Sequence, residues 1–291
     1  MDLLKAILLG IVQGITEFLP VSSSGHMSLF THFSGMDAQA SGIFSAMLHI
    51  GTLVAILVVF YRPIYELFEE FFKIIKDIST KKFTFKFEAM SETRRMFFMF
   101  VISCVPLLLL LVPVGNGKNI MDVVTVFSTD SSIKAEGICF MITGFLLLLG
   151  SFTSEKTKRH LKVSPISAIL IGIAQFFAAC FPGISRSGST VSTALMCKVS
   201  KSNAIRYSFI LSIPAVLASG VVELKDALEG TQVVPVLPLL AGVITSAVVG
   251  IFSIRLLRLV INKNLFKYFG YYCMGLGFIV TIIGAVEVFV K

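Results

Sequence analysis

An amide, a carboxyl, several hydroxyl groups and an imidazole follow one another in the stretch QGITEFLPVSSSGH, residues 13–26. Gln13 and Glu17 are four residues apart, so they share one face of a helix. Glu17 lies deep in an apolar segment, where a charged side chain costs roughly 2.5–3.5 kcal/mol on insertion scales. We therefore expect Glu17 to bind a metal ion or to orient a base. The plainer interpretation is a carboxylate bonded to nearby backbone or serine hydroxyls.

The serine run and His26 stand at the predicted start of a short helix. Free N–H groups and the positive end of the helix dipole favour anions at such a start. Ser22, Ser23 and Ser24 add hydroxyls there, and His26 is a candidate nucleophile or base. A capping or packing role is the alternative for His26. Three further histidines lack such neighbours: His32, His49 and His160. Of these, His49 lies in the middle of a predicted span, where it is placed to face a cavity.

A second polar stretch, PGISRSGST at residues 182–190, carries an arginine instead of an acid. The guanidinium of Arg186 stands among hydroxyls, and its forked donors match two phosphate oxygens. Glycines allow the backbone to approach a ligand closely. The candidate phosphate-binding residues are Gly183, Ser185, Ser187, Gly188 and Thr190. A purely structural ion pair between Arg186 and Glu17 is the alternative interpretation.

The two stretches belong to an internal repeat. AILLGIVQGITEFLPVSS, residues 6–23, matches AILIGIAQFFAACFPGIS at an offset of 162, with Gln13, Pro20 and Ser23 meeting Gln175, Pro182 and Ser185. One inserted residue then brings Gly25 opposite Gly188. The second copy has alanine at 179 where the first has Glu17. A site built from both copies is therefore chemically asymmetric, with acid, serine and histidine from one half and arginine from the other.

Each copy predicts a re-entrant helical hairpin followed by three membrane spans. The first repeat covers 1–153, with its hairpin at 3–34 and spans at 42–61, 96–114 and 135–153. The second covers 165–291, with its hairpin at 165–200 and spans at 204–222, 236–257 and 268–290. Because three spans are an odd number, the second repeat must be inverted. Two hairpins that enter from opposite faces meet near the midplane, where inverted repeats place their sites. The expected fold is thus an all-α polytopic membrane protein with two inverted-topology repeats.

Composition supports this fold class. Of the 291 residues, 55% are hydrophobic and 14% charged, and the mean hydropathy is +0.89, which is typical of an integral membrane protein. Most lysines and arginines fall in four segments, 62–95, 154–164, 198–206 and 255–267. If these are cytoplasmic, the positive-inside rule holds. The net charge of +8 then reflects the orientation of the chain in the membrane rather than binding to nucleic acid.

Three smaller expectations complete the sequence analysis. No cleavable signal peptide is expected. Residues 63–93 predict an amphipathic surface helix followed by a loop. The five cysteines predict no disulfide.

The two motifs resemble those of the bacterial undecaprenyl-diphosphate phosphatases, the membrane family tied to bacitracin resistance. That family's first motif has Glu or Gln, three residues, Glu, then a proline and a serine-rich turn ending in Gly-His. Its second motif is P-G-x-S-R-S-G. This chain has QGITEFLPVSSSGH and PGISRSGST, and its later RYSFILSIPA, residues 206–215, resembles the family too. The resemblance runs in order along nearly the whole chain.

The resemblance implies hydrolysis of undecaprenyl diphosphate to undecaprenyl phosphate and inorganic phosphate, which recycles the lipid carrier for cell-wall synthesis and confers bacitracin resistance. It implies a bacterial plasma (inner) membrane protein whose site opens towards the extracytoplasmic face. It points to Glu17, Ser23, His26 and Arg186 as catalytic, with five residues in support: Gln13, Ser22, Ser185, Ser187 and Thr190. It also implies a divalent cation, Mg²⁺ or Ca²⁺, with Glu17 as a candidate ligand. Because residue 13 is Gln rather than Glu, the cation is expected to arrive largely with the diphosphate.

Several alternatives stay open at this point. The nucleophile is His26 through a phosphohistidine, Ser23, or a water activated by His26. A transporter or polyprenyl-lipid flippase with the same midplane anion site is the rival function, because broken helices in inverted repeats are typical of secondary transporters. The expected partners are the membrane and a polyprenyl diphosphate, with no nucleic acid, and the sequence is compatible with a homodimer.

Overall fold

The computed structural model describes residues 2–35, 38–83, 90–115, 118–120, 123–124, 133–157, 161–181, 183–229, 235–262 and 265–290. His160 and Pro182 lie outside these ranges. The helices are α1 (Leu3–Thr16), α2 (Ser23–Ser34), α3 (Ala38–Val59), α4 (Tyr61–Ser79), α5 (Glu92–Cys104), a 3₁₀ helix (Val105–Leu111), α6 (Lys134–Lys156), α7 (Pro165–Cys180), α8 (Arg186–Met196), α9 (Lys201–Glu229), α10 (Val236–Asn262) and α11 (Phe266–Val290). Within the described ranges the only sheet is a short antiparallel pair, β1 (Pro113–Gly115) with β2 (Lys118–Asn119). The all-α prediction is thus confirmed.

Membrane-length apolar helices make up much of the described chain. By length and composition, four segments could cross a membrane: Glu92–Leu111, Lys134–Lys156, Val236–Val260 and Phe266–Val288. The pair Phe44–Val59 and Tyr61–Ser79 passes the same test together but bends by 82°. These helices agree with five of the predicted spans. The remaining one, 204–222, lies within α9, whose side chains at 219 and 221–229 are outside the description.

Two short helix pairs stand where the re-entrant hairpins are predicted. Helices α1 and α7 have 14 and 16 residues, which is short of the ~20 needed to cross the hydrocarbon. Each is followed by a break and a shorter helix, α2 or α8. The predicted pairs of arms are therefore present. That the two repeats are inverted with respect to a membrane stays a prediction.

The sequence pattern predicts the second arms of the hairpins at 27–34 and 190–199. Both begin earlier, at Ser23 and Arg186, and a serine cap is the reason. Ser22 Oγ accepts the Gly25 N–H at 3.1 Å, and Ser185 Oγ accepts the Gly188 N–H at 3.0 Å. A side chain that satisfies a free N–H in the first turn defines a helix start. The caps also correct the repeat alignment, because Ser22 rather than Ser23 is the counterpart of Ser185. The residue equivalent to Arg186 is therefore Ser23.

Helix α4 is the predicted amphipathic surface helix. It leaves α3 at Phe60 and carries exposed apolar side chains, among them Tyr65, Phe68 and Phe72. Its charged side chains form pairs such as Lys73 with Glu69, at 2.7 Å. A strongly amphipathic helix set at a steep angle to a span is typical of one that lies in the membrane interface.

The four basic segments come together at one end of the helix bundle. Lys162 Nζ lies 3.0 Å from Glu92, Arg206 Nη2 lies 3.4 Å from Glu66, and Lys267 Nζ lies 3.5 Å from Glu155. These three ion pairs link all four segments that the sequence analysis assigned to one side. We call this end the basic end.

The main core cluster joins the two hairpins. Phe18 and Leu19, from the break after α1, share this cluster with Val191 and Leu195 of α8. Helices α3 and α9 contribute further members, including Ile56 and Phe209. The break of the first hairpin is thus enclosed by protein, which is the condition for irregular backbone at membrane depth.

One predicted boundary was wrong. The sequence pattern predicts a connector over 223–235 after the span 204–222, but the first part of that segment is still helical, because α9 continues to Glu229. Its residues there, ELKDALE, are mostly good helix formers, and propensity extends the helix beyond its apolar part. All five cysteines are free, as the sequence predicts.

Candidate active site

A cavity of about 450 Å³ lies at the junction of the two hairpins. Its floor is polar and is formed by the two breaks, with Glu17, Ser23 and Arg186 among the lining residues. Its walls are apolar and come from the 3₁₀ helix, the end of α7 and the middle of α9. A polar floor below apolar walls suits an amphiphile that enters with its head first.

Glu17 is the centre of the floor, and its side chain is only 3% exposed. Oε2 accepts a hydrogen bond from Ser23 Oγ at 2.7 Å and another from Gln13 Nε2 at 3.1 Å. Oε1 accepts one from Arg186 Nη2. Burial of this charge is therefore compensated by a countercharge and two neutral donors, as buried carboxylates require. The face shared by Gln13 and Glu17 follows from their spacing of four, as predicted.

Arg186 reaches Glu17 from the start of α8. It is the first residue of the helix that Ser185 caps. Its Nη1 donates to the backbone carbonyl of Ser212 in α9 at 3.1 Å, while Nη2 contacts Glu17. The guanidinium remains 21% exposed towards the cavity. The ion pair with Glu17, which was the alternative interpretation of Arg186, is present, and it leaves donors of Arg186 available to a ligand.

The two serine turns contact each other directly. The Gly183 N–H donates to Ser24 Oγ at 3.1 Å, and Ser24 Oγ lies 3.4 Å from Ser22 Oγ. Gly183 has a φ of 102°, and a Cβ there would lie 2.9 Å from Cys139 Cβ. Only glycine meets both conditions. This contact fixes the break of the second hairpin against the start of α2.

Ser23 lines the cavity and donates to Glu17, whereas His26 makes its contacts elsewhere. His26 is absent from the residues that line the cavity. Its Nδ1 donates to the Ser22 carbonyl at 2.7 Å, because a carbonyl can only accept. In the neutral ring Nε2 then accepts from the Tyr272 hydroxyl, also at 2.7 Å. The ring further lies edge-on to Phe140, with centroids 5.0 Å apart.

The histidine that does line the cavity is His49 of α3. Its Nε2 lies 3.6 Å from Glu17 Oε2, and its Nδ1 donates to the Ser45 carbonyl at 2.8 Å. From the sequence, His49 is expected to face a cavity but is not among the predicted site residues. A histidine in the middle of an apolar span is itself the signal, because polar groups at that depth face the protein interior or a cavity.

The remaining predicted phosphate-binding residues divide into two groups. Ser185 and Ser187 line the cavity, and their hydroxyls lie 3.3 Å apart. Thr190 is buried, and its hydroxyl contacts the Arg186 carbonyl and Ser208 instead. Gly188 supplies the capped N–H of α8. Thr190 therefore joins α8 to α9 and does not face the cavity.

The site offers little to a resident metal ion. Among the described residues that line the cavity, Glu17 is the only acid, and both of its oxygens already accept hydrogen bonds. No group of three or more histidine, cysteine, aspartate or glutamate side chains forms a metal site within the described ranges. Hard divalent cations need several oxygen ligands. The residues fit a cation held mainly by phosphate oxygens, with Glu17 as at most one protein ligand.

This arrangement can carry out acyl or phosphoryl transfer in principle. It combines a hydroxyl, a carboxylate that accepts the hydroxyl proton and a guanidinium within one hydrogen-bonded group. A nucleophile, its base and a positive charge for the reacting group are the parts such a reaction needs.

Comparison with known proteins narrows this choice. Residues 6–279 match the family described as bacitracin resistance protein BacA. Relatives named undecaprenyl-diphosphatase include that of Alkaliphilus metalliredigens, 37% identical, with 97% of this chain and 98% of the relative covered. The relative from Halothermothrix orenii is 32% identical, and the match covers 98% of this chain and 100% of the relative. The relative from Methanosphaera stadtmanae is 36% identical over 98% and 99%.

Proposed function

This chain belongs to the bacitracin resistance protein BacA family, and we propose on that premise that it is a membrane-embedded undecaprenyl-diphosphatase. It hydrolyses undecaprenyl diphosphate to undecaprenyl phosphate and inorganic phosphate. The product is the lipid carrier in the form that cell-wall synthesis reuses, and its regeneration counters bacitracin. The observation that carries the assignment is the hydrogen-bonded group of Ser23, Glu17 and Arg186 on the floor of an apolar-walled cavity.

Substrate binding follows from the shape and charge of the cavity. The diphosphate reaches the polar floor while the polyprenyl chain leaves along the apolar walls formed by the 3₁₀ helix and α9. Arg186 and the N–H groups at the start of α2 and α8 bind the terminal phosphate. Charge that develops on the phosphate oxygens during reaction is stabilised by the same groups.

Ser23 is the proposed nucleophile. Its O–H proton passes to Glu17 Oε2, the acceptor 2.7 Å away, as Oγ bonds to the terminal phosphorus. The bond between that phosphorus and the bridging oxygen breaks, and undecaprenyl phosphate leaves. The proton on Glu17 passes to the departing undecaprenyl phosphate, which restores the carboxylate. Water then attacks the seryl phosphorus while Glu17 takes the water proton and returns it to Ser23 Oγ, so that inorganic phosphate leaves and the serine is regenerated. When phosphate binds Arg186, it competes with Glu17 for the guanidinium and frees the carboxylate to act as the base.

His26 has a positioning role in this scheme. Its hydrogen bond to the Ser22 carbonyl holds a residue with φ 73° and ψ 98°, a backbone geometry that non-glycine residues seldom adopt. Ser23 directly follows, so His26 sets the direction of the nucleophile. A phosphohistidine at His26 Nε2 would require that nitrogen to give up the Tyr272 hydroxyl and the ring to reach the cavity, which it does not line.

A divalent cation, Mg²⁺ or Ca²⁺, is proposed to arrive with the diphosphate. It would neutralise phosphate charge, and Glu17 is its candidate protein ligand. The protein's own side chains carry out phosphate binding and proton transfer: Arg186 holds the phosphate, and Glu17 moves the proton.

We place the protein in the bacterial plasma membrane with the cavity opening to the extracytoplasmic face. The walls continue from Pro214 towards Ala218 and from Leu107 towards Leu111, away from Arg206 and the basic end. If the basic end is cytoplasmic, the cavity opens outwards. Three buried rings, Phe18, Phe60 and Phe209, close the path from the floor to the basic end, which argues against the flippase alternative.

The assignment is tested by phosphate release from undecaprenyl diphosphate, using purified protein with and without EDTA. Glu17→Gln should lower turnover by roughly 10²–10⁴-fold, the range for loss of a catalytic base. Glu70→Gln is the matched control, because Glu70 is equally buried, at 6% exposure for both, and also pairs with an arginine, Arg94. Turnover by the control should stay near that of the wild type. Wild-type turnover in Glu17→Gln would overturn the proposed role of Glu17, and absence of release from folded wild type would overturn the function.

A further inference from the structure

A second cavity, of about 480 Å³, lies at the basic end. It is bounded by the bend between α3 and α4, the start of α9 and the end of α10. Three arginines from these elements line it: Arg62, Arg206 and Arg258. They come from three distant parts of the sequence, so the fold rather than a local charge run brings them together.

The charge of this cavity is not balanced by its own residues. Glu66 is the only acid among the described lining residues. Its side chain is 49% exposed, and its Oε2 lies 3.4 Å from Arg206 Nη2. A solvated pair at that distance is weak. The cavity therefore carries an excess of positive charge. The neighbouring cavity on the other side of Arg206 differs, because its Lys162 and Glu92 are paired at 3.0 Å.

The three guanidiniums keep donors available for an anion. Arg62 Nε donates to the Tyr61 hydroxyl at 2.7 Å, and the Arg258 guanidinium stacks on the Phe60 ring at 4.6 Å. Stacking on an aromatic face holds a guanidinium in place without using its N–H groups. Arg206 Nε is buried and has no acceptor among the described residues, a polar group that a bound oxyanion could satisfy after a small reorientation.

This cavity is separate from the candidate active site. Phe60 lines it and packs on Phe209, which in turn packs on Phe18, each pair with ring centroids 5.7 Å apart. All three rings are about 1% exposed. An anion bound among the arginines is therefore not in the catalytic cavity on the other side of these rings.

The surroundings of the cavity indicate the source of the anion. Apolar residues, including Val59, Pro63 and Ile205, share the lining with the arginines. The interfacial helix α4 begins at the rim, with exposed Tyr61 and Tyr65, and such rings lie at the level of lipid headgroups. We propose that Arg62, Arg206 and Arg258 form a second phosphate-binding site, which takes the phosphate of an anionic lipid from the leaflet at the basic end. Basic pockets between helices are the usual form of such sites.

The experiment uses the purified full-length chain in detergent. Bound phosphatidylglycerol is counted by native mass spectrometry against phosphatidylcholine, and a parallel arm measures the thermal shift with inorganic phosphate alone. The variant is Arg62→Gln with Arg258→Gln. The control is Arg255→Gln, an exposed arginine three residues before Arg258, and it is compared with Arg258→Gln alone, which loses the same single charge; Arg255 does not line the cavity. Each lost arginine contact should weaken phosphatidylglycerol binding about tenfold.

The outcomes separate the two sources. Selective retention of phosphatidylglycerol by the wild type and by Arg255→Gln, but not by the double variant, supports the lipid site. A phosphate-induced shift that only the double variant loses, with no lipid retained, supports the phosphate site with free phosphate as its occupant. Equal behaviour of all these proteins, or equal loss in Arg255→Gln and Arg258→Gln, overturns the proposal. Phosphatase turnover of the double variant, measured beside these, should stay near wild type because neither residue is in the catalytic cavity.

Discussion

At the residue scale, Arg186 makes two contacts that a lysine cannot reproduce. Its Nη2 contacts Glu17 while Nη1 donates to the Ser212 carbonyl at 3.1 Å. Lysine keeps the charge but not the planar fork. We expect Arg186→Lys to lower kcat/KM by about 10²–10³-fold, the range for losing one preorganised donor. Steady-state phosphate release measures it.

The matched control for this substitution is Arg94→Lys. Arg94 also uses two nitrogens, on Glu70 and Asp77, but it lies outside the catalytic cavity. A comparable loss in both variants, at equal folded fraction, would mean that Arg186 acts on the fold and not on the reaction.

A covalent intermediate on Ser23 and one on His26 would differ in their stability to acid and base. Rapid acid quench of wild type with labelled substrate should trap a phosphoprotein that is stable to acid and labile to base, as a seryl phosphate is. Ser23→Ala should abolish it, whereas His26→Gln should retain at least about tenfold more activity than Ser23→Ala, because His26 acts through backbone position. A label that is labile to acid and stable to base would instead assign the nucleophile to His26.

The sequence predicted which polar residues meet on the cavity floor better than it predicted where the histidines lie. Glu17, Ser23 and Arg186 meet as expected, because the repeat brings the two breaks together. The position of His26 depends on Tyr272, which is 246 residues away, and no local pattern encodes that contact. His49 enters the cavity because α3 packs beside α1, which is likewise a property of the folded chain.

At the element scale, helices α6 and α11 pack closely enough that glycine is required. A Cβ on Gly277 would lie 2.6 Å from the Gly137 carbonyl oxygen and 2.8 Å from the Met141 nitrogen. Small residues allow such close approach between membrane helices. Gly277→Ala should therefore destabilise the fold by about 1–3 kcal/mol, the usual cost of overpacking, seen as a lower midpoint in thermal unfolding.

Gly275 provides the control on the same helix. A Cβ there would have nothing within 4 Å, so Gly275→Ala should be neutral or slightly stabilising, since alanine is the better helix former. If both variants unfold at the same temperature, the glycine contact between α6 and α11 does not hold the fold together.

Element boundaries show where sequence patterns are weak. Apolar length predicted the existence of nearly every helix, but the serine caps moved the start of α2 and α8, and propensity extended α9. The bend of 82° between the two parts of the α3–α4 pair follows a change from an apolar to an amphipathic pattern near residue 61. Hydropathy alone predicts that the span ends there, but it does not predict the angle between the two helices.

At the scale of the whole molecule, the two candidate sites lie on opposite sides of one aromatic barrier. The catalytic floor is above Phe18 and Phe209, and the arginine cavity is below Phe60. Three buried rings lie between the two cavities, and a flippase that used both would have to open this layer.

The inverted repeat makes a topological prediction that one pair of positions tests. Asp2 and Ser164 cap the two equivalent helices α1 and α7, and both are exposed. If the second repeat is inverted, these caps face opposite sides of the membrane. Each is replaced by cysteine in a background where Cys104 and Cys197, the two partly exposed native cysteines, are alanine. A membrane-impermeant maleimide then probes intact cells.

We expect Asp2→Cys to react in intact cells and Ser164→Cys to react only after permeabilisation, because Ser164 follows a basic segment and the positive-inside rule places it in the cytoplasm. Losing a cap costs about 1 kcal/mol, which the fold should tolerate. Labelling of both from the same side would contradict the inversion. The reverse pattern, with Ser164→Cys labelled from outside, would keep the inversion but turn the cavity and its substrate towards the cytoplasm.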